Sequence, residues 1–178
     1  MGRLVFLTGR PGVGKTSVLL RAVKVLRARG LRVGGMISRE AREDSRRIGF
    51  RIVDLETGRE GWLAHVNHKT GPQVGKYRVN LSDLRDVGVD SILKAIGDAD
   101  VVVIDEVGPM ELHSSDFKDA VTRAIQSEKT VIGIVHYGAR DPLIHTIRTA
   151  NNSDILEVTY ENRHRLHETI VEKIASQK

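Results

Sequence analysis

The 178-residue chain has no cysteine, which excludes a disulfide framework, a thiolate metal site and a cysteine nucleophile. Aromatic residues make up only 4% of it, too few for an interleaved basic and aromatic surface of the kind that stacks single-stranded nucleic acid. Long apolar runs are also missing. Stretches such as Val101 to Ile104 fall far short of the roughly eighteen residues of a membrane helix. Met1 to Thr8 has neither the length nor the cleavage-site character of a signal peptide, so the expectation is a cytoplasmic protein with no membrane partner. Acid is absent from the N-terminal segment: residues 1–38 carry Arg3, Arg10, Lys15, Arg21, Lys24, Arg27, Arg29 and Arg32, and no carboxylate precedes Glu40. Such one-sided charge suits an anionic ligand or nucleic acid near the first helix, or a solvated helix face. What is present, 40% hydrophobic and 29% charged residues with a net charge of +5, belongs to a soluble globular protein, and a monomer is expected. Residues 1–178 are read as one domain, without repeats or a low-complexity linker.

Apolar periodicity orders this domain. Leu4 to Thr8 reads as a buried strand, and Val18, Leu19, Ala22, Val23 and Leu26 recur at helical spacing up to Gly30. Residues 33–80 change character, with alternating runs around Phe50, Trp62 and Tyr77 separated by turn residues, and are read as a β-rich antiparallel insertion in which 65–76 is a loop. Further on come a helix over 89–96, a strand over 101–104, a helix capped by Ser114 to Asp116, a strand over 131–135, a short helix from Pro142, a strand over 155–158 and a last helix. Alternating strands and helices predict a three-layer α/β fold with a mostly parallel central sheet.

Gly9-Arg10-Pro11-Gly12-Val13-Gly14-Lys15-Thr16 fits the P-loop pattern G-x-x-x-x-G-K-S/T and stands between a strand and a helix, where the chemistry requires it. The glycines let the backbone amides turn inward around a β-phosphate at the positive end of the helix dipole. Lys15 can then reach the β- and γ-phosphates, and the Thr16 hydroxyl can ligate Mg²⁺. Val102, Val103 and Ile104 carry Asp105 to the end of a core strand, the Walker B arrangement, in which this carboxylate holds the Mg²⁺ shell. Glu106 follows as a candidate base for a water attacking the γ-phosphate. With Val107 and Gly108 it completes a D-x-x-G spacing. His136, at the end of the 131–135 strand, is a candidate γ-phosphate contact, and Arg140 and Arg148 are candidate lid or arginine-finger residues. His65 with His68, and His164 with His167, lack a third ligand at a spacing that suits zinc.

The site therefore predicts an enzyme with NTP substrates and Mg²⁺ as cofactor. A kinase, in which an acceptor hydroxyl replaces water, is an alternative, as is a nucleotide-regulated protein that binds nucleic acid; the latter is not favoured. The chain has no Asn-Lys-x-Asp guanine reader, because Asn151-Asn152-Ser153-Asp154 lacks the lysine, so nothing here selects a base.

Beyond the P-loop, Arg46-Arg-Ile-Gly-Phe50, Val74-Gly-Lys-Tyr77, Val103-Ile-Asp-Glu-Val-Gly-Pro-Met-Glu-Leu112, Pro142-Leu143, Ile147-Arg148 and Val158-Thr-Tyr-Glu-Asn-Arg163 resemble the cancer-related nucleoside triphosphatase family, the THEP-type NTPases. The resemblance implies a RecA-like P-loop domain that hydrolyses ATP, GTP, CTP, UTP and deoxynucleotides to diphosphate and phosphate with Mg²⁺. Under it, Gly9 to Thr16 bind phosphate, and Asp105 and Glu106 form the metal and water site. Pro109 stands where members often carry lysine, and Arg10 and Ser17 also depart from the commonest residues. The resemblance leaves Arg46 and Arg47 undecided between ligand contact and loop anchoring.

Overall fold

The computed structural model describes residues 1–176. Nine strands form one sheet: β1 (Leu4–Thr8), β2 (Val33–Glu43), β3 (Arg46–Asp54), β4 (Glu60–His65), β5 (Gln73–Val74), β6 (Tyr77–Val79), β7 (Val101–Val107), β8 (Thr130–Val135) and β9 (Ser153–Glu157). Their spatial order is β5-β6-β4-β3-β2-β7-β8-β1-β9. The pairs β2·β7, β7·β8, β8·β1 and β1·β9 are parallel, so the centre of the sheet is parallel, as the alternating pattern predicts. The remaining pairs, from β2·β3 outward, are antiparallel.

Helices cover both faces. α1 (Lys15–Ala28) and α6 (Leu166–Ala175) lie on one side, where Leu19, Val23 and Ile170 meet Val5, Leu7 and Val103. On the other side lie α2 (Leu81–Asp83), a π-helical segment at Leu84–Val89, α3 (Asp90–Asp98), α4 (Ser115–Gln126) and α5 (Pro142–Thr149). There Ile92, Phe117 and Ile144 close over Leu4, Phe6, Met36 and Ile104. The predicted cap at Ser114 is present: its hydroxyl accepts the Phe117 amide at 3.1 Å.

Two boundaries differ from the sequence reading. The β-rich segment does not begin outside the central sheet, because Val33 to Met36 pair in parallel with Val101 to Ile104, and only the far half of β2 turns to antiparallel pairing with β3. The helix expected to start at Val89 is preceded by helical turns from Leu81, opened by Asn80, whose side chain accepts the Asp83 amide at 2.9 Å. Residues 65–76, read as loop, include β5, paired with β6. Among the described residues no helix is long and apolar enough to cross a membrane.

Candidate active site

β1 ends at Thr8, and the chain enters the P-loop through Gly9, where a side chain would bring Cβ to 2.8 Å from the Val158 carbonyl. Gly14 opens α1 at φ 104°, a left-handed conformation that a residue with Cβ adopts only at a cost. No side chain caps this helix and its first turn holds no acid. Its free amides and dipole therefore meet whatever anion enters the loop. Of the loop side chains, Val13 is buried in the core beside α1, whereas Arg10 and Pro11 are exposed.

Lys15 Nζ donates to the Gly9 and Arg10 carbonyls at 2.9 and 3.0 Å, so the lysine arches over the loop it belongs to. Burial draws its ammonium below the ordinary lysine value, while the Glu106 and Asp105 carboxylates pull the other way. Next along the helix, Thr16 Oγ1 donates to Asp105 Oδ2 at 2.8 Å, which ties the P-loop to the end of β7 across the intervening β8. Asp105 is only 2% exposed, and burial pushes its carboxyl up to about 7 despite the Thr16 hydrogen bond and the nearby Lys15.

The register between β7 and β8 slips after Asp105: Asp105 faces Ile134, Val107 faces Val135, and Glu106 is the extra residue of a bulge. The bulge leaves Glu106 without a partner residue on β8. Burial raises its carboxyl above the ordinary value, offset in part by His136 and Lys15. His136 thus stands close enough to influence Glu106. Its Nδ1 accepts the amides of Gly138 and Ala139 at 3.1 and 3.0 Å, leaving Nε2 to carry the proton of the neutral ring.

A third acid completes this end of β7. Glu111, on a single 3₁₀ turn at Glu111–His113, is 3% exposed, and burial beside Glu106 and Asp105 holds it well above the ordinary range. Gly108 makes room for both glutamates, since a Cβ there would lie 2.6 Å from Glu106 Oε1 and 3.2 Å from Glu111 Oε2. Sequence reasoning assigned no role to Glu111. Its signal was an acid set among Met110 and Leu112, an apolar setting in which a carboxylate is expensive unless it is held for a purpose.

The other predicted residues fall into three groups. Val102, Val103, Ile104 and Val107 are fully buried, their side chains directed into the two cores, so they deliver Asp105 and Glu106 without themselves facing the site. Arg148 reaches toward the root of the loop, 3.4 Å from Thr8 Oγ1, whereas Arg140 is exposed and has no partner among the described residues. Arg47 anchors rather than projects: it donates to Tyr77 Oη at 2.8 Å and to Glu40 at 2.9 Å, and it stacks on Phe50. Arg46 is exposed.

Much of the basic N-terminal segment is engaged locally, with Arg3 paired to Asp154, Arg32 to Asp100, and Arg21 and Arg27 bonded to backbone carbonyls. Among the described residues no three histidine or carboxylate groups converge as a self-sufficient metal centre. The pair Thr16 and Asp105 instead offers two hard oxygens in hydrogen-bond contact. That donor set fits a magnesium ion, which keeps several waters and takes further ligands from phosphate.

Known proteins share both fold and length. A family model described as NTPase matches residues 4–171. The nucleoside-triphosphatase THEP1 of Thermofilum pendens is 44% identical over 96% of this chain and 94% of its own, and that of Methanocaldococcus jannaschii is 38% identical over 96% of both. The solution structure of a human cancer-related nucleoside triphosphatase superposes with a TM-score of 0.85 at 35% identity, covering 99% of this chain and 100% of its own. The crystal structure of THEP1 from Aquifex aeolicus gives 0.83 at 29% identity, covering 96% and 98%. With a family model matching residues 4–171 and relatives 38% and 44% identical along nearly the whole chain, the chain belongs to the NTPase family of the THEP1 proteins and is a nucleoside-triphosphatase.

Proposed function

We propose that this enzyme cleaves the bond between the β- and γ-phosphates of nucleoside and deoxynucleoside triphosphates of any base, with Mg²⁺, giving the diphosphate and inorganic phosphate. The observation that carries the reading is the Thr16–Asp105 hydrogen bond, because it brings the P-loop hydroxyl and the strand-end carboxylate to one point with Glu106 beside it. The amides at the start of α1 bind the triphosphate, and Lys15 exchanges the Gly9 and Arg10 carbonyls for phosphate oxygens. Thr16 and Asp105 would hold the ion, which when bound neutralises charge building up on the β- and γ-oxygens.

Glu106, whose carboxyl burial raises above the ordinary value, stands beside Asp105 as the group to accept the proton from water. The water oxygen forms its bond to the γ-phosphorus as the bond to the β,γ-bridging oxygen breaks. The released diphosphate keeps that oxygen. Arg148 supplies positive charge near the root of the loop, His136 can donate from Nε2 at the rim of the site, and Arg140 stands on the exposed loop before α5. Indifference to the base agrees with the absence of a guanine-reading motif in the sequence. The test is release of phosphate from ATP, GTP, CTP, UTP and their deoxy forms with and without Mg²⁺. Comparable Mg²⁺-dependent rates across the panel are expected; release of pyrophosphate, or turnover that requires an added phosphoryl acceptor, would overturn the reading.

A further inference from the structure

The Val158-Thr-Tyr-Glu-Asn-Arg163 segment has no part in the chemistry described above, yet it forms one wall of the P-loop. β9 pairs in parallel with β1, Val158 N donates to Thr8 O at 2.8 Å, and the chain leaves β9 at the same sheet edge as Gly9. Asp105 and Glu106 stand on the opposite side, two strands from β1 across β8. If the γ-phosphate is directed to Glu106, the nucleoside end points away from β7 and toward the β9 loop, so the inference rests on the proposed hydrolase reading.

That loop is built as a rigid shelf. Asn162 Oδ1 accepts the Thr159 amide at 2.8 Å, the Asn162 amide donates back to Thr159 Oγ1 at 3.2 Å, and Asn162 Nδ2 donates to Glu157 O at 2.8 Å. From α1, Arg21 donates to the Arg163 and His164 carbonyls at 2.6 and 3.2 Å. Arg163 then extends over the P-loop, its Cδ 3.8 Å from where a Gly14 Cβ would be and its Nη1 3.5 Å from the Val13 carbonyl. The same guanidinium lies 5.0 Å from the centre of the Tyr160 ring.

Tyr160 is therefore held one guanidinium away from the phosphate loop, yet it is 64% exposed. One side of its π-system is engaged by Arg163 and the rest faces solvent. The other strongly exposed aromatic, Tyr137, follows His136 on the Glu106 side. The Asn162 side-chain amide, which could read a base edge by donating and accepting together, is engaged inside the loop, as is Thr159 Oγ1, which accepts the Asn162 N–H.

We propose that Tyr160, backed by Arg163, is the platform on which the purine or pyrimidine of the bound nucleotide stacks. Stacking reads the face of a base and not its hydrogen-bonding edge, so such a platform adds affinity for every base while selecting none. Such a site would distinguish a nucleoside triphosphate from inorganic tripolyphosphate without distinguishing ATP from UTP.

The experiment measures dissociation constants of ATP, GTP, CTP, UTP and inorganic tripolyphosphate, with Mg²⁺, for the wild type, Tyr160→Ala and Tyr160→Phe. The expected result is that Tyr160→Ala weakens all four nucleotides by about 5- to 100-fold, by similar factors for purines and pyrimidines, leaves tripolyphosphate unchanged, and that Tyr160→Phe restores nucleotide affinity. Equal loss for nucleotides and tripolyphosphate, or no loss for either, overturns the platform while leaving the hydrolase reading intact. A wild type that binds neither nucleotide nor tripolyphosphate overturns both.

Discussion

Replacing Asp105 by asparagine should stabilise the ligand-free protein above neutral pH, although the same change is expected to abolish turnover. Asp105 is buried, and its carboxyl is pushed up to about 7 from an ordinary 3.8. Below pH 3.8 the folded and unfolded chains both hold the proton. Between 3.8 and 7 the unfolded chain has released it and the folded chain has not, so stability falls as pH rises through that window. Above 7 the carboxylate is ionised in both states and the whole cost remains. A difference of this size corresponds to roughly 4 kcal/mol. Asparagine has the same shape and no charge to desolvate, and its carbonyl oxygen can still accept from Thr16. Urea unfolding in EDTA without nucleotide should give the two proteins similar stability at pH 4, and Asp105→Asn an advantage of roughly 2 to 4 kcal/mol at pH 8. Glu106 and Glu111 are raised as well, but both chains contain them. An advantage that does not change with pH, or a variant less stable at pH 8, would refute the argument that the site stores the cost of an unpaired buried charge until a cation is bound.

Three further outcomes follow from particular contacts. Gly108→Ala places a methyl 2.6 Å from Glu106 Oε1, so steady-state phosphate release should fall by about 10- to 100-fold while nucleotide affinity measured by calorimetry stays close to wild type. Ser114→Ala removes the acceptor for the Phe117 amide at the start of α4 and should lower stability by about 1 kcal/mol in urea unfolding, with kcat unchanged. Arg47→Ala, which releases Tyr77 and Glu40 from one guanidinium at a distance from the P-loop, should lower the midpoint of thermal unfolding and leave KM for ATP unaltered; a raised KM with unchanged stability would mean that Arg47 meets the ligand after all.

What was legible in the sequence was what local chemistry requires. A phosphate loop needs Gly9, Gly12, Gly14, Lys15 and Thr16 in contiguous register, and Val101 to Ile104 had to be a buried strand because four apolar residues ran directly into two acids. The cap at Ser114 was legible for the same reason, since it satisfies an amide only three residues ahead. What the sequence did not disclose depends on partners far along the chain. Val33 to Met36 belong to the central sheet because β7, some seventy residues later, pairs with them, whereas the sequence pattern grouped them with the β-rich insertion that follows. The bulge that leaves Glu106 without a β8 partner is a property of β7 against β8, and the burial of Glu111 depends on the fold around it. Arg47 and Arg163, both in segments singled out beforehand, proved to differ in kind: one is engaged by Tyr77 and Glu40, the other leans over the P-loop.

The most direct test of the central claim compares wild type with Glu106→Gln in Mg²⁺-dependent phosphate release, with ATP affinity measured on the same preparations. Glutamine keeps the shape of the side chain and cannot take a proton from water. The account predicts turnover lower by about 10²- to 10⁴-fold with nucleotide binding retained. Turnover within a few-fold of wild type would show that Glu106 does not activate the attacking water and would contradict the account.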